Sequence, residues 1–187
     1  ALPGVFFVMA TQNPLEMEGT YPLPEAQIDR FLFKLIVRFP TVEDLESILD
    51  RTTEIEVPKT EAVFDGERIE HLGHLARQIP IAKAVRRYAI SLVMATHPEH
   101  EGAPRMTRDY VRYGVSPRGV QALVLGAKIH AILDDRFHVA AEDIRSVAFP
   151  ALRHRLILNF EGQAKNVTPD DVIRTVLAEV PLPGTVE

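Results

Sequence analysis

Two runs of apolar residues stand near the start of the chain: residues 5–10, and residues 31–37, which only Lys34 interrupts. Neither run alternates between apolar and polar positions, a pattern typical of strands buried on both faces of a parallel sheet. Residues 11–30 lie between the runs and contain three prolines and a glycine, which predict a loop. A short helix is predicted over residues 25–30. Two strands joined by such a crossover form the end of an α/β sheet.

From residue 41 onward the apolar spacing is helical. Thr41, followed by Asp44, predicts a capped helix over residues 42–52. Residues 54–65 have little periodicity and predict a linker, whereas residues 97–115 predict a polar loop. The remaining predicted helices cover residues 67–78, 81–96, 117 onward, 140–148 and 169 onward, and residues 150–158 are predicted to form a further turn or helix.

The helix that begins near residue 117 has the clearest signals. Ser116 is a predicted N-cap and Pro117 occupies the first helical position. An apolar stripe then faces a predicted core, formed by Val120, Leu123, Val124, Ala127 and Ala131. We therefore predict a mainly α chain: residues 1–57 end an α/β domain with two parallel strands, and residues 58–187 form an all-α domain. Because the chain starts inside a predicted strand, we expect a fragment of a longer protein.

The composition is that of a globular protein, with 46% hydrophobic and 25% charged residues among 187. No apolar run reaches the roughly 18 residues of a membrane span, and no signal peptide is recognisable. The absence of cysteine excludes disulfides and thiolate metal sites. A cytoplasmic location is expected. The net charge of −5 argues against a surface that binds nucleic acid.

Four sequence segments resemble the MoxR family of AAA+ ATPases. They are residues 10–14 (ATQNP), 18–31 (EGTYPLPEAQIDRF), 113–119 (YGVSPRG) and 152–156 (LRHRL). The resemblance implies the C-terminal piece of a P-loop AAA+ core followed by a helical lid. It also implies ATP and Mg²⁺ as cofactors, a homo-oligomeric, typically hexameric ring, and a chaperone-like role in maturing or activating partner proteins. A protein with a von Willebrand factor A domain is an expected partner.

Asn13 follows the carboxyl end of the first predicted strand, where ligands of open α/β sheets bind. Its amide can orient a water that attacks a terminal phosphate. Alternatively, Asn13 and Pro14 only begin a turn. The resemblance implies that Asn13 is the catalytic residue called sensor 1.

Arg30 ends the short predicted helix. A guanidinium suits the charge that develops on a transferred phosphoryl group; alternatively, Arg30 only interacts with the C-terminus of its own helix. The resemblance implies that Arg30 is a catalytic arginine finger, which reaches the nucleotide of a neighbouring subunit. Asp29 beside it is a candidate ion-pair partner at an interface, and such a pair contributes little if it is exposed.

Arg118 lies in the first turn of a predicted helix, where the helix dipole disfavours a cation by about 0.3–1 kcal/mol. An anionic ligand would remove this conflict, since helix N-termini bind phosphate. The resemblance implies that Arg118 is sensor 2, which contacts the γ-phosphate of bound ATP. The alternative is a bond to Asp109 or Glu101 in the preceding loop.

The sequence contains no phosphate-binding loop. Gly114 and Gly119 have the right spacing, but Val120 and Gln121 stand where such a loop needs Lys and Ser or Thr. No apolar strand ends in paired acids that would hold Mg²⁺. We therefore expect that the 187 residues alone do not hydrolyse ATP.

Two further interpretations stay open, and no metal site is expected. The histidines match no zinc motif. Short helices are compatible with a helical DNA-binding module, although the acidic charge opposes it. A nucleotide-free adaptor built from a degenerate ATPase is the other alternative. The upstream DNA would decide that question, since an intact ATPase encodes a phosphate-binding loop there.

Overall fold

The computed structural model describes residues 6–12, 23–53 and 60–184, which are mostly helical. Asn13, the predicted sensor 1, lies outside these residues. The elements are α1 (Glu25–Ile28), α2 (Val42–Thr53), α3 (Gly66–Gln78), α4 (Lys83–Met94), α5 (Arg105–Tyr110), β1 (Val111–Tyr113), α6 (Pro117–Leu133), α7 (Ala141–Ser146), α8 (Ala148–Leu152), β2 (Ile157–Leu158), α9 (Phe160–Ala164) and α10 (Pro169–Glu179).

Helix α6 is the centre of the helical domain and packs against α3, α4, α7 and α8. The predicted apolar stripe faces the core: Leu123, Ala127 and Ala131 are fully buried, and Val120 and Val124 pack against them partly buried. The other large side chains of this core are Leu92, Ile144, Leu152 and Ile173. Burial of these side chains supplies most of the driving force for folding of this domain.

Helix starts agree with the capping signals of the sequence. Thr41 and Asp44 bond reciprocally at the start of α2, over 3.1 and 3.2 Å. Thr168 and Asp171 form the same arrangement at α10. Each such pair satisfies backbone N–H groups that the first helical turn leaves unpaired.

The two predicted parallel strands are not formed in the described ranges. Residues 6–10 and 31–37 are irregular, and Phe7, Met9 and Val37 are more than four-fifths exposed. The only sheet among the described residues is the antiparallel pair β1–β2. A strand of a parallel sheet forms by pairing with its neighbours, and the described part of the chain offers these runs no such neighbour.

No helix in the described ranges has the length and apolar character that crossing a membrane requires.

Candidate functional site

The start of α6 is held in place by the end of α4. The backbone N–H of Val115 donates to Thr96 Oγ1 over 3.0 Å, and Nε2 of His97 donates to the Val115 carbonyl over 3.0 Å. Ser116 then caps the helix, since its hydroxyl oxygen accepts from the N–H of Arg118 over 3.2 Å. The first turn of α6, including Arg118, therefore has a fixed position in the domain.

The carboxylate of Asp29, just after α1, reaches this helix start from a distant part of the chain. It accepts the Ser116 hydroxyl at Oδ1 over 2.7 Å and Nη1 of Arg118 at Oδ2 over 2.9 Å. Nε of Arg155 donates to Oδ1 over 3.1 Å. Burial alone would raise the pKa of Asp29, but the bonds from Ser116 and Arg118 and the charge of Arg155 outweigh it and lower the pKa. Asp29 is therefore ionised over the whole physiological range.

Arg155 follows α8 and is the most deeply enclosed charge of this group, with a side chain only 2% exposed. Besides Asp29 Oδ1, its guanidinium donates to three backbone carbonyls of the incoming segment, those of Asp29 at 3.0 Å, Phe31 at 2.6 Å and Leu32 at 3.2 Å. It also donates to the Ala151 carbonyl. Burial lowers the pKa of Arg155, and the neighbouring Asp29 offsets part of that effect. Because a guanidinium stays protonated, this side chain is a permanent cationic anchor for the segment.

The two residues before Arg155 extend the same contact. Nε2 of His154 donates to the Phe31 carbonyl over 3.0 Å, and Nη1 of Arg153 donates to the Lys34 carbonyl over 3.1 Å. Arg153 is itself fixed by a two-point ion pair with Asp170, at 3.0 and 3.1 Å. We call Arg153, His154 and Arg155 the carbonyl clamp, because together they hold the backbone carbonyls of the segment after α1.

Apolar packing supports the clamp. The ring of Phe33 lies against Gly126 in the middle of α6, where an added Cβ would come within 2.7 Å of the ring. The Lys34 N–H donates to the Pro150 carbonyl over 2.9 Å. The segment after α1 is thus docked on the helical domain by charge, hydrogen bonds and one aromatic ring.

Known proteins resemble this chain in both of its parts. A family model for the AAA lid domain matches residues 104–176, and one for the ATPase family associated with various cellular activities matches residues 1–33. The chaperone MoxR1 of Mycobacterium tuberculosis is 35% identical over 97% of this chain and 48% of its own length. The MoxR protein of Methylorubrum extorquens is 33% identical over 94% of this chain and 55% of its own length.

The crystal structure of a candidate ATPase from Cytophaga hutchinsonii shares this fold, with a TM-score of 0.85 and 32% sequence identity. It is matched over 91% of this chain and 52% of that protein. This chain belongs to the MoxR family of AAA+ ATPases. It spans about half the length of the curated MoxR relatives that it matches.

The two predicted MoxR site residues that the structure describes, Arg118 and Arg30, differ in their contacts. Arg118 lies in the first turn of α6 as expected, but its partner is Asp29; the alternative of a bond to Asp109 or Glu101 was wrong. Asp109 instead accepts from Arg105. A partner 89 residues away cannot be read from local spacing.

Arg30 is exposed, and its guanidinium forms no hydrogen bond or ion pair with a described residue. Its own backbone N–H donates to the Gln27 carbonyl over 3.1 Å in the turn that ends α1. The clamp holds the residues on either side of it, Asp29 and Phe31. The MoxR lid therefore fixes the backbone around Arg30 and leaves its charge available.

The sequence interpretation missed the carbonyl clamp. Residues 152–156 were recognised only as a family motif, and no role was given to Arg155. Two arginines within a short, otherwise apolar stretch were the available signal, because buried cations require partners.

A second charged cluster, at the end of α6, serves structure. His130, Asp134 and Asp143 bring ligand atoms within 4.8 Å of one another. Asp143, however, accepts two bonds from Arg136, one from His130 and one from the Ala140 N–H. Burial opposes its ionisation, but these donors lower the pKa of Asp143 to about 2. Its lone pairs are thus used by the protein itself, including one by a ring nitrogen of His130.

Proposed function

We propose that this chain is the nucleotide-sensing and lid portion of a MoxR-type AAA+ ATPase. In the intact protein, ATP binding and hydrolysis would drive the chaperone-like maturation or activation of partner proteins. The observation that carries the proposal is the contact of Asp29 with Arg118. This contact joins Arg118, the predicted sensor on the lid, to Asp29, which is next to the predicted arginine finger Arg30.

The start of α6 has the chemistry that a terminal phosphate requires. The first turn of an α-helix carries the positive end of the helix dipole, which favours an anion. The side chain of Arg118 stands there 52% exposed, and only one of its guanidinium nitrogens is bonded. Because it is half exposed, this side chain can turn to a phosphate oxygen, which supports a role as sensor 2.

Each predicted residue then has one task. Arg118 binds the γ-phosphate, Asn13 orients the attacking water, and Arg30 enters the site of the neighbouring subunit. Bound ATP would supply the phosphoryl group, and Mg²⁺ with a phosphate-binding loop from outside this chain would neutralise its charge. Through Asp29, which contacts both Arg118 and Arg155, the first turn of α6 is linked to the backbone that carries Arg30.

A homo-oligomer is proposed because a finger acts on a neighbouring subunit, and a hexameric ring is proposed on family grounds. A partner with a von Willebrand factor A domain is proposed on family grounds. The similarity to a protein named as a chaperone supports the client-directed role.

Single substitutions in the intact ATPase test these assignments. Arg30→Ala should lower kcat by about 10³-fold or more while ATP affinity changes little, because a finger acts mainly in the transition state. Arg118→Ala should weaken ATP binding as well as turnover. Arg105→Ala is the matched control, since this exposed arginine pairs only with Asp109. If Arg30→Ala hydrolyses ATP at the rate of the control, the finger assignment is wrong.

A further inference from the structure

The carboxylate of Asp29 occupies the end of α6 where negative charge is favoured. Ser116, which caps that helix, donates to one of its oxygens over 2.7 Å. Arg118, two residues later, donates to the other over 2.9 Å. The side chain of Asp29 therefore already binds Arg118, the cation to which the proposed function assigns a phosphate.

The two arginines that bind Asp29 differ in how firmly they are held. Arg155 is 2% exposed and bonds to four backbone carbonyls as well as to the carboxylate. Arg118 is 52% exposed, and Asp29 is the only side chain that its guanidinium contacts among the described residues. Arg155 is therefore a fixed partner of Asp29, whereas Arg118 can rotate away into solvent.

We propose that Asp29 is a positioning residue that retains Arg118 at the start of α6 until the terminal phosphate of a nucleoside triphosphate takes it over. The inference rests on the proposed function, because it takes the phosphate contact of Arg118 as given. Arg118 has to break its ion pair with Asp29 before it binds the terminal phosphate. Asp29 therefore weakens the binding of a triphosphate and leaves that of a diphosphate unchanged.

Release of Arg118 does not detach the segment from the lid. Asp29 keeps its bonds to Arg155 and Ser116, and the clamp keeps the carbonyls of Asp29 and Phe31. Arrival of the γ-phosphate thus changes the charge balance of Asp29 without moving Arg30 out of place.

The test compares nucleotide affinities in the intact ATPase. The probes are a fluorescent, non-hydrolysable ATP analogue and the matching fluorescent ADP, titrated against wild type, Asp29→Asn, Arg118→Ala and the double variant. Asp109→Asn is the matched control, because it removes the same charge from an exposed ion pair that contacts neither Asp29 nor Arg118. Asp29→Glu, which keeps the charge, is the conservative variant.

We expect Asp29→Asn to bind the ATP analogue about two- to fivefold more tightly, the range of a partly exposed ion pair. ADP affinity should stay unchanged, Asp29→Glu should return to the wild-type value, and Asp109→Asn should match wild type. In the Arg118→Ala background the substitution of Asp29 should have no effect on either probe.

The possible outcomes test the positioning role of Asp29 separately from the proposed sensor role of Arg118. If Arg118→Ala binds the ATP analogue as well as wild type, the proposed sensor role itself fails. If Arg118→Ala weakens binding but Asp29→Asn gives no tightening, or the tightening persists without Arg118, the inference alone is overturned. Should Asp29→Asn not fold, a structure of the wild-type assembly with the ATP analogue decides: Arg118 parted from Asp29 supports the exchange, and an intact pair refutes it.

Discussion

At the scale of single residues, Asp29 is the point where three parts of the chain meet. Its carboxylate binds the helix cap Ser116, the exposed Arg118 and the buried Arg155. Removing one partner of a buried pair leaves the other charge without compensation, and this costs more than the pair contributes when intact. At this site Arg155 therefore contributes most to stability, and Arg118 carries the proposed function.

Arg155→Ala should lower the free energy of unfolding by about 2–4 kcal/mol, because five accepting oxygens each lose one donor and the Asp29 carboxylate loses its buried counter-charge. Arg174→Ala, which removes an arginine 65% exposed in an ion pair with Asp171, should cost less than about 1 kcal/mol. Urea unfolding of both variants measures the difference. Equal losses would show that the clamp contributes no more than a surface pair.

Stability should also depend on pH through His154. Its Nε2 donates to the Phe31 carbonyl, while its buried Nδ1 has no hydrogen-bond partner among the residues that the structure describes. Burial lowers the pKa of His154 from the ordinary value of 6.5, since a proton on Nδ1 would have no acceptor. The folded state therefore binds this proton less readily than the unfolded state, and the stabilisation present above pH 6.5 is lost as the pH falls below that value.

The measurement is the melting temperature at pH 8 and at pH 5.5 for wild type and His154→Gln. Glutamine can keep the donor to Phe31 and does not titrate, so the variant should lose less stability on acidification. An equal loss in both proteins would assign the pH dependence to other groups.

The sequence predicts the positions of the charged residues better than their partners. Arg118 was placed in the first helical turn by the Ser116–Pro117 signal, which is local. Its bond to Asp29 spans 89 residues, and that of Arg155 spans 126. Such contacts depend on how α6 and α8 pack, which no spacing rule encodes.

At the scale of elements, helices were predictable because their signals are local, and strands were not. Caps at Thr41, Ser116 and Thr168 begin the helices where the sequence places them. The polar segment 97–115 was predicted as a loop but contains α5 and β1. Helix α5 has no capping side chain, and β1 forms only through its pairing with β2, more than forty residues later.

Gly119 shows how α6 achieves its close packing. A Cβ on this residue would lie 2.1 Å from Val115 Cγ1 and 3.3 Å from Leu152 Cδ2, and Val115 is fully enclosed. Alanine normally stabilises a helix relative to glycine by about 1 kcal/mol. At this position we expect the opposite sign, because a buried valine and the helix cap next to it have to move.

Gly119→Ala should therefore destabilise the fold by about 1–3 kcal/mol, the usual cost of overpacking. Gly73→Ala in α3 is the matched control, since nothing lies within 4 Å of its added Cβ, and it should stabilise by up to about 1 kcal/mol. Chemical unfolding of the two variants gives the signs. A stabilised Gly119→Ala would contradict the packing described at the start of α6.

At the scale of the whole molecule, the described parts of the chain differ in how well they bury their apolar residues. The helical domain buries its core, whereas α2 has no buried residue and Phe6, Phe7 and Met9 are largely exposed. This chain covers about half of its MoxR relatives, so the rest of a MoxR protein lies outside it. The boundary near residue 57 and the inactivity of the 187 residues alone stay predictions.

The central claim is that Asn13, Arg118 and the Arg30 of a neighbouring subunit act on one terminal phosphate. Mixing two inactive variants of the intact ATPase, Asn13→Ala and Arg30→Ala, tests it most directly. In a mixed ring, an Arg30→Ala subunit keeps its own Asn13 and receives Arg30 from an Asn13→Ala neighbour. The account predicts that the mixture hydrolyses ATP although neither variant does alone. A mixture that assembles into rings and stays inactive would contradict it.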